Sequence, residues 1–270
     1  MLPVRRAPLV LAGVLAGVLA GVLAGACAAS PLTFPRGKLV DLTHAFNDKT
    51  VYWPTSPSGF VRQVLAYGPT PAGFFYASGA FAAPEHGGTH LDAPIHFAAG
   101  KSTADAIALD RLAAPAVVVD ISARAGADRD AALLPADLDG FERAHGRIEP
   151  GTIVLVRTGW AARWPDRKAY LGDDTPGDAT HLHFPGIGAD AARELVRRGV
   201  AAVGIDTASI DCGPSKDFLA HQVILGADVP AFENVAGLDR LPARGAFVVA
   251  LPMKIEGGSG GPLRIVAWVP

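Results

Sequence analysis

Apolar and polar positions along this 270-residue chain fall into short runs of changing period. Residues 38–43 alternate, the pattern of a half-buried strand. Residues 60–66 and 74–81 are rich in aromatics and separated by a Gly/Pro turn, which predicts an antiparallel hairpin that leads into residues 84–97 and scaffolds them. Residues 116–121 and 152–157 are continuous apolar runs, as expected of strands buried on both faces. Residues 135–145 predict a helix with proline in its first turn, where proline is tolerated. Residues 188–198 predict an amphipathic helix with Ala192, Leu195 and Val196 inward and Arg193, Arg197 and Arg198 outward, stopped at Gly199. Residues 200–205, 247–251 and 263–269 complete the predicted strands, with 257–261 as a flexible turn. Strands and helices mix without strict βα alternation, and no boundary or repeat interrupts the mature part. The expected fold is a single α/β domain around a mixed, barrel-like central sheet.

The first thirty residues break this pattern. Arg5 and Arg6 form a basic start, and an Ala-Gly-Val-Leu repeat runs to Ala26. Ala24-Gly25-Ala26 and Ala26-Cys27-Ala28 both fit a small-residue cleavage site. The apolar run is longer than most signal sequences, so an uncleaved anchor also suits it. Cys27 resembles a lipoprotein acceptor, although Ala24 stands where such sites favour leucine. Residues 1–30 therefore read as a signal peptide or lipoprotein signal, and residues 31–270 as the domain, exported to the periplasm or held at a membrane by an N-terminal lipid or anchor. The two cysteines, Cys27 and Cys212, make no disulfide framework. A formal charge of −2 gives no electrostatic case for nucleic acid.

Candidate chemistry concentrates at residues 84–97. His86, His90, Asp92 and His96 all occupy even positions, which share a face on extended backbone. A straight strand would hold His86 and His90 roughly 13 Å apart, whereas two ligands of one metal each sit about 2 Å from it. The segment must bend, and Gly87-Gly88 supplies the bend. Two glycines and the following Pro94 argue against a helical His pair. Imidazole and carboxylate together suit zinc, manganese or iron. Two later pieces are open to either reading. Residues 204–211, with Asp206 and Asp211, end a predicted strand where α/β sheets place ligands, and they equally suit a capped turn. His221 lies on an apolar helical stretch, where a satisfied core histidine is the ordinary case.

The run His86-Gly-Gly-Thr-His90-Leu-Asp92-Ala-Pro-Ile-His96 resembles the signature of the cyclase-like metal hydrolases, whose members include bacterial kynurenine formamidase and isatin hydrolase. The resemblance implies a swivelling β/β/α fold and homo-oligomers. Carried over, it implies His86, His90, Asp92 and Glu233 around one Zn2+, with Asp92, His221 and Glu233 around a second and both carboxylates bridging. It implies His96 as general acid/base and Trp53 as a substrate contact. Some relatives work with a single Mn2+. The implied reaction is hydrolysis of a non-peptide C–N bond in a small aromatic molecule: an arylformamide such as N-formylkynurenine, or a cyclic amide or lactone of the isatin kind. The aromatic residues at 52–53 and 74–76 would suit a flat ligand. A non-catalytic exported protein that binds metal or a small molecule is the alternative class.

Overall fold

The computed structural model describes residues 37–270; the expected signal segment and Cys27 lie outside the described residues. Among the described residues twelve strands follow in order: β1 (Lys38–Asp41), β2 (Val61–Pro69), β3 (Phe75–Ala82), β4 (His90–Asp92), β5 (Ala113–Asp120), β6 (Ala132–Leu133), β7 (Ile153–Arg157), β8 (Gly186–Ile187), β9 (Ala202–Ile205), β10 (Ala231–Glu233), β11 (Arg244–Pro252) and β12 (Gly260–Val269). Pairing runs β12-β11-β5-β7-β9-β10-β4, and β4 pairs again with β12, which closes a seven-stranded mixed barrel. The parallel stretch β5-β7-β9-β10 carries its crossovers through α1 (Pro135–His145), α2 (Ala189–Arg197) and α3 (Leu219–Gly226).

The continuous apolar runs have the predicted cause. Along β5, Ala114, Ala116 and Val118 point into the barrel while Val117 and Val119 point at the helices. Ile153 and Leu155 of β7 likewise enter the barrel, and Val154 and Val156 meet the helix layer. Both faces are dry, so both read apolar.

Two expectations change. Arg198 was expected to face solvent, yet its guanidinium is buried among Glu142 (3.0 Å), Glu194 (2.6 Å) and Asp139 (3.1 Å). Three carboxylates from two helices offset the desolvation of one cation. The hairpin forms as expected but belongs to no core: β2 and β3 pair only with each other as a separate sheet, and no residue of either is buried. Tyr67, Phe74, Phe75, Tyr76 and Phe81 are each more than half exposed. Only its root is held, through Phe81 on Phe60 and Phe60 on Phe46. The hairpin is thus an arm, not the scaffold of the histidine-rich segment.

Candidate metal centre

That segment is held by the barrel itself. Gly88 takes φ +60° and a Cβ there would lie 2.5 Å from the Phe46 ring, so the bend has both a conformational and a steric reason to be glycine. Its N–H donates to Val51 O at 3.0 Å. Beyond it, β4 alternates as expected: Leu91 enters the barrel core and His90 and Asp92 share the opposite face. β10 runs antiparallel beside β4 and sets Glu233 directly opposite His90. α3 brings His221 over both carboxylates.

The contacts converge on one point. His90 Nε2 lies 3.2 Å from Asp92 Oδ1 and 3.6 Å from Glu233 Oε2. His221 Nε2 lies 3.3 Å from Asp92 Oδ2 and 3.3 Å from Glu233 Oε1. His86 Nδ1 lies 2.7 Å from Asp92 Oδ1. His96 stacks on His86 with ring centroids 3.8 Å apart, and with His86 and Asp92 it forms a second compact group of potential ligands. All five residues expected to bind metal meet here, and His96 stands beside them.

Proton accounting shows that the cluster calls for positive charge. His90 Nδ1 is 3.0 Å from Gly88 O, and a carbonyl only accepts, so Nδ1 carries the hydrogen. His221 Nδ1 is 2.6 Å from Asp211 Oδ2 and donates in the same way. In the neutral rings both Nε2 atoms are then bare, and each faces carboxylate oxygens. Acceptors facing acceptors in a buried site repel unless a positive charge lies among them. Without an ion, that charge falls to the rings themselves. Burial works against charge on His221, yet Asp211, Asp92 and Glu233 outweigh it and hold the imidazole well above its usual range. Burial opposes charge on Asp92 too, but its three histidine neighbours hold the carboxyl well below the ordinary range. Burial and the Asp92 charge push Glu233 up. Two carboxylates and three imidazoles fit a divalent ion of the zinc or manganese kind.

Several supporting residues were not assigned a role by sequence. Asp211 sits in the 204–211 motif, but only the fold shows that it orients His221. Asn234 adopts φ +54° and donates from Nδ2 to Gly88 O at 2.7 Å, bracing the carbonyl that holds His90. Asp206 serves neither reading as stated: its carboxylate accepts from Thr158, Gly159 and Trp160, capping a turn in another segment rather than its own. Cys212 is filler, with burial and the Asp211 charge pushing its thiol up to about 11.

The centre opens into a cleft of about 270 Å³ with aromatic walls. Trp53 and Tyr52 line it as expected, joined by Phe97 and Phe218, whose rings lie 5.6 Å apart. Phe218 holds φ +50°, a strained setting for a bulky residue that aims its ring over the cleft. Phe74, Phe75 and Tyr76 do not line it; they lie on the arm.

A sequence profile described as putative cyclase matches residues 40–212. The chain belongs to the cyclase family. Among its cyclase relatives, an isatin hydrolase of Roseibium aggregatum is 37% identical over 207 residues, 73% of this chain and 77% of that protein. A kynurenine formamidase of Salinibacter ruber is 30% identical over 181 residues, covering 67% and 74%. The crystal structure of an isatin hydrolase bound to the product analogue thioisatinate superposes with TM-score 0.78 at 31% identity, over 86% of this chain and 92% of that one. These relatives support, in general terms, a metal-dependent amide hydrolase acting on a small molecule.

Proposed function

We propose that this cyclase-family protein hydrolyses the C–N bond of a small aromatic amide, with a cyclic amide of the isatin kind ahead of an arylformamide. The observation that carries the reading is the convergence of two imidazole nitrogens on Asp92 and Glu233 at the floor of an aromatic cleft. Higher identity to the isatin hydrolase than to the formamidase supports the cyclic substrate.

His86, His90, Asp92 and Glu233 would hold one cation, and Asp92, His221 and Glu233 a second if two bind, with Zn2+ or Mn2+ as the ion. A divalent ion supplies Lewis acidity and lowers the pKa of coordinated water from 15.7 toward about 7. The chain's own residues do the rest. Trp53, Phe97 and Phe218 hold a flat ring. Ile210 N–H donates to Glu233 Oε1 at 2.8 Å and fixes that carboxylate. Burial pushes His96 down to about 4, although Asp92 opposes the shift. His96 is therefore neutral at pH 7, ready to take a proton from the attacking water and pass it to the leaving nitrogen.

The domain would act after export, released from residues 1–30 or tethered through them, and as a homo-oligomer. The exposed aromatic arm supports the latter, since an isolated hairpin is marginal in water. The test is metal analysis of purified protein together with hydrolysis of isatin and N-formylkynurenine, with and without chelator. Chelator-sensitive turnover restored by Zn2+ or Mn2+ is expected. Metal-replete protein that opens neither substrate would overturn the reading and favour a binding protein.

A further inference from the structure

We infer that Ser259 and Glu85 are positioning residues that fix His86 as a ligand through Nδ1, the opposite ring nitrogen from the one His90 and His221 present. The inference rests on the proposal that the centre holds a cation. Residues 257–261 read as a flexible turn in sequence, but Ser259 is 173 residues from His86 and in direct contact with it.

The hydrogen-bond chain runs one way only. Glu85 Oε2 receives the Ser259 N–H at 2.9 Å and the Ser259 hydroxyl at 2.6 Å. An ionised carboxylate accepts and cannot donate, so the single hydroxyl proton of Ser259 is committed to Glu85. Toward His86 Nε2, 2.9 Å away, Ser259 Oγ can then only accept. In the neutral ring Nε2 then carries the hydrogen, and Nδ1 offers its lone pair on the side of Asp92 Oδ1, 2.7 Å away. The three imidazoles are thus turned by three separate acceptors: Ser259 for His86, Gly88 O for His90 and Asp211 for His221. Each presents a bare nitrogen to the same carboxylate.

An independent steric observation agrees. A Cβ at Gly260 would lie 2.5 Å from Leu91 O and 2.6 Å from His86 Cε1. The backbone after Ser259 therefore lies flush against the His86 ring, and the turn is shaped around it. Ala93 N–H donates to Ser259 O at 2.9 Å, tying the same residue to the end of β4. Outer groups of this kind raise ligand basicity and lock ring orientation, and their loss weakens metal affinity about 10–100-fold.

The test compares Ser259→Ala, Ser259→Thr and Glu85→Ala with the natural full chain, measuring Zn2+ affinity by competition with a chromophoric chelator. Ser259→Ala is expected to weaken affinity about 10–100-fold, and Ser259→Thr, which keeps the hydroxyl, to recover most of it. Glu85→Ala frees the serine proton to point at Nε2, reverses the tautomer and should cost at least as much; it also serves if Ser259→Ala does not fold. Imidazole 15N shifts of the zinc-loaded natural protein should reveal one histidine coordinated through Nδ1. Wild-type affinity in both alanine variants, or coordination through Nε2 at every histidine, would overturn this inference alone. A natural protein that binds neither Zn2+ nor Mn2+ would overturn it together with the hydrolase reading.

Discussion

Asp211→Asn isolates how much of the centre depends on a side chain that would touch no ion. Asp211 accepts from Ala220 N–H at 2.9 Å, His221 N–H at 3.1 Å and His221 Nδ1–H at 2.6 Å. Asparagine keeps the shape but turns one of the two acceptor ends into a donor. With its NH2 at the Oδ2 position it confronts two donors of His221; the ring can answer by moving its proton to Nε2, which then no longer offers a lone pair to the centre. With the amide reversed, the Nδ1 contact survives without its charge and Ala220 N–H is left unpaired. Either way one backbone N–H in a buried site loses its acceptor, a cost of about 1–3 kcal/mol. At about 2–4 °C per kcal/mol for a domain of this size, Tm of the metal-free protein should fall by roughly 2–12 °C. Metal affinity should fall about 10–100-fold, or ~1.4–2.7 kcal/mol. Chelator competition and thermal unfolding of metal-free and loaded protein read the two numbers separately. Unchanged metal affinity in a folded Asp211→Asn protein would refute the proton accounting on which the centre rests.

Three further outcomes are expected. His96→Ala should lower kcat about 10²–10⁴-fold, the usual span for a lost acid/base group, with metal content unchanged by elemental analysis; full activity would remove the assigned role. His44 stacks on Trp164 and burial pushes it down to about 4 from 6.5, so between these values the unfolded chain binds a proton that the folded one does not. Stability is full above about pH 6.5 and falls on acidification, by about 2 kcal/mol at pH 5 at 1.36 kcal/mol per unit; urea unfolding should show a shallower acid loss in His44→Phe, and equal loss in both proteins would count against the attribution. Replacing Tyr67, Phe75 and Tyr76 with serine should convert an oligomer to monomer in light scattering with little change in the unfolding midpoint measured as monomer, because these side chains are more than half exposed and lie outside the core; an unchanged mass would exclude the arm as the interface.

What the sequence determined by itself was local or periodic. Barrel strands β5, β7, β9, β11 and β12, with α1 and α2, were legible because burial on both faces, or on one stripe, leaves a period that any window of residues displays, whereas three-residue β10 shows none. The bend at Gly87-Gly88 was legible for the same reason: two ligands four residues apart cannot meet on straight backbone, and only glycine makes the turn cheaply. Tertiary structure alone decided the rest. Arg198 follows two outward-facing arginines in pattern, and only the placement of Glu142 and Asp139 on a neighbouring helix draws it inward. The aromatic strands at 61–69 and 75–82 announce surface that is costly to leave in water, but sequence does not say whether the covering partner lies in the same chain. The proton positions at His86, His90 and His221 depend on Ser259, Gly88 O and Asp211, acceptors that the closing of the barrel brings to the rings. A side chain's type is written in the sequence; the tautomer it adopts is set by whichever neighbour the fold puts at its other nitrogen.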